Sequence, residues 1–284
     1  MYAKVYLEIT NICNMSCSFC HGHSRAPGRM SCQQFEAVLN QLEGQTKFLY
    51  YHLMGEPLSH PQLPEFITTA KARGFKSVIT TNGTLLALRQ EELIAAAPHK
   101  VSVSLHSFEG ELGGAAAAGQ TEEAYGQYLR EVADFAEAAS RAGIIVVLRL
   151  WNRGYDGGRN DRTFQYLRNR LEGEWTDNTR GIRIRDKLHL EWGDRFEWPD
   201  LKAEVQGEEV VCWGLKDHFG ILCDGTVVPC CLDSEGAVPL GNIFEEEIAS
   251  ILASERAQAM VCGFQNRKAS EELCRRCGYA QRFV

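Results

Sequence analysis

The eleven cysteines of this 284-residue chain fall into two groups, and that distribution constrains the molecule more than any other feature. Three lie within 13–20 and one at 32, none falls between 33 and 211, and seven lie within 212–277. Eleven is too dilute for a disulfide miniprotein, and the opening MYAKVYLEIT lacks the charged, apolar, small-residue order of a secretion signal. The expectation is metal or redox chemistry in a cytoplasmic protein, at two centres separated by a cysteine-free scaffold. A chain of this length buries roughly three quarters of its extended surface, so neither centre is needed as a staple. With 44% hydrophobic and 24% charged residues, wholesale disorder is excluded. A net charge of −7 argues against a nucleic-acid partner, and the lack of any run of 18 apolar residues against a membrane span.

The scaffold alternates two periods. Strand-like runs are expected at 5–9, 48–53, 76–80, 101–105, 144–150 and 182–191. Between them lie helical stripes. Ser31 opens one through Phe35, Val38, Leu39 and Leu42; another passes through Leu63, Phe66, Ile67 and Ala70 to a stop at Gly74. Residues 89–96, a long run from Thr121 to Gly143, and 161–171 complete the series. Six strands alternating with helices argue for a parallel α/β architecture, which periodicity leaves open between a doubly wound sheet and a full or partial (β/α) barrel. In either, the loops after the strand C-terminal ends form the active face. The glycine- and alanine-rich segment 107–120 reads as a loop and 193–211 as a polar connector. Beyond Cys212, runs at 219–222 and 226–229 flank Asp224-Gly225 as a hairpin, and helical stretches follow near 243–260 and 268–279.

The first strand leads into Cys13-Asn14-Met15-Ser16-Cys17-Ser18-Phe19-Cys20, a C-x-x-x-C-x-x-C loop. Thiolates suit iron–sulfur centres and zinc, and three ligands rather than four leave an open position where chemistry happens. His21 or His23 would be the fourth ligand of a zinc site. This loop resembles the signature of the radical S-adenosylmethionine (SAM) superfamily. The resemblance implies a six-stranded partial (β/α) barrel in which Cys13, Cys17 and Cys20 hold a [4Fe-4S] cluster. SAM would chelate the fourth iron and be cleaved to methionine and a 5′-deoxyadenosyl radical that takes hydrogen from substrate. Phe19 matches the aromatic position beside the adenine.

Further matches fall at successive strand ends. Met54-Gly55-Glu56-Pro57 resembles the family's G-G-E-P segment, which receives the SAM ammonium; Met54 departs from it, while Gly55, Glu56 and Pro57 keep it. Thr80-Thr81-Asn82-Gly83 is similar to the family's T-N-G turn, placing Thr81 and Asn82 at the cofactor. Ser102, Ser104 and His106 give the fourth strand a polar face, which a buried parallel strand does not tolerate without a ligand or partner. Ser104 matches the ribose-contacting position, and Arg149 is placed for the SAM carboxylate. His106, at the strand end, is the candidate catalytic base, with backbone satisfaction as its alternative role. On the sixth strand the inward pair is either Arg183 and Arg185 or His189 and Glu191.

The second group is Cys212, Cys223, Cys230, Cys231, Cys262, Cys274 and Cys277. Twelve residues separate Cys212 from Gly225 and four separate Gly225 from Cys230; Cys274 and Cys277 form a C-x-x-C. A zinc-stapled minidomain also suits four thiolates, although zinc ribbons favour two such knuckles. The pattern is similar to the twitch domain, a shortened relative of the SPASM domain. That resemblance implies one auxiliary [4Fe-4S] cluster closed by Cys212, Cys230, Cys274 and Cys277, with Cys223, Cys231 or Cys262 as possible replacements. The expected organisation is a barrel over 1–192, a connector over 193–211, and a small α+β twitch-type domain over 212–284, with no further domain before the barrel.

Twitch- and SPASM-bearing relatives include a dehydrogenase of aminoglycoside biosynthesis, the cyclase of molybdenum-cofactor biosynthesis and peptide maturases. A fully ligated second cluster favours net oxidation of a small molecule or peptide, because it can accept the electron left on a substrate radical. A cross-linking or epimerising peptide maturase is the alternative within the family, and a non-catalytic zinc or iron–sulfur module the alternative outside it. A flavodoxin or ferredoxin would deliver the electron.

Overall fold

The computed structural model describes residues 1–109 and 121–284. The chain divides into two compact units, one made of residues 1–12, 21–55 and 196–284, the other of 13–20 and 56–195.

In the first unit, β1 (Lys4–Leu7), α1 (Cys32–Leu42) and β2 (Phe48–Tyr51) form a β–α–β unit whose strands run parallel, with Val5 opposite Leu49. Ser31 starts α1 because its side chain accepts from Gln34 N–H while the Gln34 side chain returns to the Ser31 backbone. The helix buries Phe35, Val38, Leu39 and Leu42, the stripe expected from the sequence. The C-terminal region enters the same sheet. Strand β9 (His218–Ile221) lies parallel to β1, with Val5 opposite Phe219; β10 (Thr226–Val228) turns back on it around Gly225, and β11 (Gly241–Asn242) adds an antiparallel edge. The two expected C-terminal helices are four shorter ones, α7 (Ile248–Leu252), α8 (Glu255–Gln265), α9 (Glu272–Arg275) and α10 (Gly278–Gln281). Ser254 caps a fresh helix start in the middle of the first stretch by accepting from Ala257 N–H.

The second unit carries α2 (Leu63–Ala72), β3 (Lys76–Thr81), α3 (Leu86–Ala96), β4 (Lys100–Ser104), α4 (His106–Glu109), α5 (Glu122–Arg141), β5 (Ile145–Arg153) and α6 (Arg159–Arg170). The short strands β6 (Thr176–Asn178), β7 (Gly181–Arg185) and β8 (Leu188–Asp194) follow. Strands β3, β4, β5 and β8 are parallel, with Thr80, Ser102, Val147 and His189 in successive register. Helix α5 begins at the Thr121 cap and buries Leu129, Val132, Ala136 and Ala139.

Two expectations need correction here. The strand expected over 182–191 is a hairpin. Strand β7 runs antiparallel to β8, and Lys187 turns the chain in the left-handed region at φ 62°. Only β8 is the sixth parallel strand. Arg185 on β7 donates to Ser140 Oγ of α5 at 3.0 Å, so it does not belong to the polar strand-end group. Of the loop expected over 107–120, the part up to residue 109 is the helical turn α4, and 110–120 lies outside the described residues. Among the described residues no helix is long and apolar enough to cross a membrane.

Candidate active site

Cys13, Cys17 and Cys20 lie in one loop of the second unit. It coils tightly, since Cys20 N–H bonds Cys17 C=O at 3.0 Å. Met15 N–H donates to Cys13 Sγ at 3.4 Å and Asn82 Nδ2 approaches the same sulfur at 3.9 Å; Cys17 Sγ donates to Ser107 C=O at 3.7 Å. Burial raises the Cys13 pKa and pushes that of Cys17 to about 12, and the charges of the other loop thiols push both in the same direction. The three sulfurs therefore share one electrostatic neighbourhood, where a set of thiolates needs compensating positive charge. An iron–sulfur cluster supplies that charge, and N–H groups aimed at sulfur are the usual surroundings of such a cluster. The donor set fits the implied group.

Glu56 is buried, with its carboxylate held by the backbone. Leu58 N–H donates to Oε1 at 3.0 Å and Asn82 N–H to Oε2 at 2.7 Å, and the Thr81 hydroxyl also bonds it. Desolvation nevertheless raises its pKa to about 7. Glu56 thus braces the Thr81-Asn82-Gly83 turn, where Gly83 N–H closes on Thr81 Oγ1 at 3.0 Å. Pro57 opens the following 3-10 turn (Pro57–Ser59). Gly55, in the first unit, sits at φ +76°, and a Cβ there would stand 2.3 Å from Thr10 C=O, so this position requires glycine.

On the polar face of the β4–β5–β8 register, Ser104, Arg149 and Glu191 stand in one row. Arg149 Nη2 donates to Ser104 Oγ at 2.8 Å, and its guanidinium lies 4.6 Å from the Trp151 ring centroid. The indole in turn covers Gly193, where a Cβ would meet it at 2.9 Å. His189 has its pKa lowered by burial.

His106 is held by backbone and by an aromatic ring. Its Nδ1 lies 3.2 Å from Arg149 C=O and 3.4 Å from Trp151 N, and its ring packs at 5.0 Å from Phe19. Burial, then the Arg149 charge, lowers its pKa from 6.5 to about 4. At neutral pH the ring is uncharged, and its Nδ1 is the atom turned to the backbone. Its titration sets a stability profile. An unfolded chain binds this proton near pH 6.5, whereas the folded protein refuses it down to about 4. The stability that His106 contributes is therefore full above pH 6.5 and is lost as pH falls from there to 4, by at most about 3 kcal/mol. Glu56, with its pKa raised to about 7, works the other way over much of the same window, since the folded state takes up its proton first. The His106 share is read as a difference: in urea titrations of the chelated protein the wild type should lose stability relative to His106→Gln as pH falls, and parallel profiles for the two would contradict it.

In the first unit, Cys212, Cys230, Cys274 and Cys277 are mutually placed. Burial raises the pKa of each, and the charges of Cys231, Cys212, Cys274 and Cys277 all raise that of the half-buried Cys230. Backbone N–H groups of Gly214 and Trp213 reach Cys212, and those of Tyr279 and Ala280 reach Cys277 at the start of α10. Four clustered thiols with such donors again fit an iron–sulfur group. The other three have neighbours of their own. Cys231 accepts from the Tyr6 hydroxyl, Cys223 meets Glu8 and Arg25, and Cys262 accepts from Asn266 Nδ2 at 3.6 Å.

Three thiols in one loop and four more gathered in the C-terminal region, on a mostly parallel α/β scaffold, are the donor sets of an iron–sulfur protein. The Radical SAM superfamily profile matches residues 7–167, and the SPASM iron–sulfur cluster-binding domain profile matches 212–278. This chain belongs to the radical SAM superfamily, and its cofactors are SAM and two [4Fe-4S] clusters, one for each matched region. Relatives include the tungsten-containing aldehyde ferredoxin oxidoreductase cofactor-modifying protein of Pyrococcus furiosus, 37% identical over 86 residues, 29% of this chain and 24% of that one. The sporulation killing factor maturation protein SkfB of Bacillus subtilis is 24% identical over 92% of this chain and 67% of its own. Among solved structures, BtrN in complex with AdoMet and 2-DOIA aligns with a TM-score of 0.61 at 18% identity, covering 98% of this chain and 93% of that one. That likeness is one of fold, and it gives this chain the partial (β/α) barrel that the family resemblance implies. With several curated relatives, including the Pyrococcus protein, the match spans only about a quarter to a third of the relative's length.

Thr84, Asn14, Ser107 and Trp151 escaped the sequence reading. Only Thr84 left a signal there, as the hydroxyl residue directly after Thr81-Asn82-Gly83.

Proposed function

We propose that this enzyme is a radical SAM oxidoreductase that removes hydrogen from a small molecule or peptide and passes the remaining electron to its auxiliary cluster. The observation that carries the reading is the three-thiol loop, which offers a cluster three ligands while Asn82, Ser104 and Arg149 line the same unit with polar groups. When bound, the cluster and SAM together supply the 5′-deoxyadenosyl radical. Cys13, Cys17 and Cys20 are assigned as ligands of the first cluster, and Cys212, Cys230, Cys274 and Cys277 as those of the second. Phe19 is assigned to the adenine edge, Ser104 to the ribose, Arg149 to the carboxylate, and the Gly55-Glu56-Pro57 segment with Thr81 to the amino group. Because the Glu56 oxygens already accept from backbone, loop carbonyls supply much of the ammonium's reception. Residues 1–192 make the barrel part and 212–284 the twitch-type part of a cytoplasmic enzyme that draws its electron from a flavodoxin or ferredoxin.

SkfB, a maturation protein matched along 92% of this chain, favours a second reading as a peptide maturase. Reconstituted enzyme, reductant and SAM, incubated with deuterated metabolites and peptides, should place deuterium in 5′-deoxyadenosine for the true substrate class. Label arriving from a peptide alone would select the maturase, and absence of 5′-deoxyadenosine under all conditions would end both readings.

A further inference from the structure

The side chains of Asn14, Thr84 and Asn82 close a ring of three hydrogen bonds. Asn14 Nδ2 donates to Thr84 Oγ1 at 2.8 Å, Thr84 Oγ1 donates to Asn82 Oδ1 at 2.7 Å, and Asn82 Nδ2 donates to Asn14 Oδ1 at 2.9 Å. Thr84 N–H is a second donor to Asn82 Oδ1, at 2.9 Å. With two donors on its oxygen, the Asn82 amide cannot turn over without leaving both unmatched. Its nitrogen end therefore faces the cysteine loop and approaches Cys13 Sγ at 3.9 Å. The Asn82 backbone is fixed as well, through Glu56 Oε2 at 2.7 Å and the Tyr128 hydroxyl at 2.8 Å. Asn14 directly follows Cys13, so the ring ties the loop to the turn at the sulfur itself.

We infer that Asn82, oriented by Thr84 and Asn14, is a positioning residue that donates to the Cys13 thiolate and raises the reduction potential of the cluster held there. The inference rests on the assignment of Cys13 as a ligand. The physical reason is charge. The reduced cluster carries one more negative charge than the oxidised one, so a donor at a ligand sulfur stabilises the reduced form more. Asn82→Asp turns the donor into an anion of nearly the same shape. Thr84→Val removes one corner of the ring and one of the two donors that orient the amide, while Thr84→Ser keeps both.

The test is a potentiometric titration of the anaerobically reconstituted full chain, followed by electron paramagnetic resonance on the signal that changes when SAM is added. The midpoint should fall in Thr84→Val, fall further in Asn82→Asp, and return to the wild-type value in Thr84→Ser. Wild-type midpoints in Thr84→Val and Asn82→Asp at full iron content would overturn the inference, because a merely structural ring would alter iron content and leave the potential alone. If Asn82→Asp does not take up iron, the Thr84→Val and Thr84→Ser pair decides. A wild-type protein with no SAM-responsive signal would instead bring down the ligand assignment, and this inference with it.

Discussion

Replacing Cys13, Cys17 and Cys20 together by Ala should remove all SAM cleavage and about half of the iron. Two cubane clusters give roughly eight iron and eight sulfide per chain, and loss of one leaves roughly four of each. The half that remains is the control. The thiols at 212, 230, 274 and 277 belong to the other compact unit, so the auxiliary cluster should assemble in the triple variant and keep the protein brown. Cys262→Ser, on the exposed face of α8, should change neither quantity. Anaerobic reconstitution, iron and sulfide analysis, and chromatography of 5′-deoxyadenosine measure all of this. Retention of about eight iron in the triple variant would remove these cysteines from the site, and stoichiometric zinc without sulfide in the wild type would replace the cluster reading altogether.

What could be read from the sequence is what local spacing encodes. The helix start at Ser31 and the stripe of α1 lie within a dozen residues of each other, and both stand as expected. The hairpin of β7 and β8 was hidden because its turn, Asp186-Lys187, carries no glycine or asparagine, and a lysine in the left-handed region leaves no mark in the sequence. The breaks between the C-terminal helices, at Ser254 and Cys277, are cap positions, visible only once the helix on either side is known. The pairing of β9 with β1 joins residues more than two hundred positions apart, a distance over which periodicity says nothing. The same holds for the site. Asn82 and Ser104 could be placed by motif, but the neutral, backbone-bound state of His106 depends on Arg149 and Trp151 of another strand. The ring through Asn14 and Thr84 depends on two loops meeting.

The largest single loss of stability should come from Glu8→Ala. Glu8 is fully buried just beyond β1, and four donors converge on its carboxylate. Arg25 Nη1 and Nη2 bond Oε1 and Oε2 at 2.8 and 2.6 Å, while Cys223 N–H and Met54 N–H reach the same two oxygens at 3.2 Å each. Arg25 also donates through Nε to Ser234 C=O at 2.8 Å. One carboxylate thus fastens the first strand, the segment after the cysteine loop, the end of β2 and the β9–β10 turn. Beside it, Thr10 Oγ1 and Asn11 Nδ2 bond the carbonyls of Gly28 and Ala26 at 3.0 and 2.9 Å, so the chain leading into Cys13 is laid on the same frame. Truncating Glu8 leaves a guanidinium only 13% exposed without its counter-charge and two backbone N–H groups without acceptors. Removal of one partner from a buried pair costs about 3–5 kcal/mol, because the remaining charge stays desolvated. Removing both charges is milder, so Glu8→Leu combined with Arg25→Met should recover part of the loss, though not the two orphaned N–H groups. Urea unfolding of the reconstituted protein should show the midpoint falling with little change in slope for the single variant and rising again in the double. A single variant within 1 kcal/mol of the wild type would mean that water enters to solvate Arg25, and the carboxylate would then be dispensable to the frame.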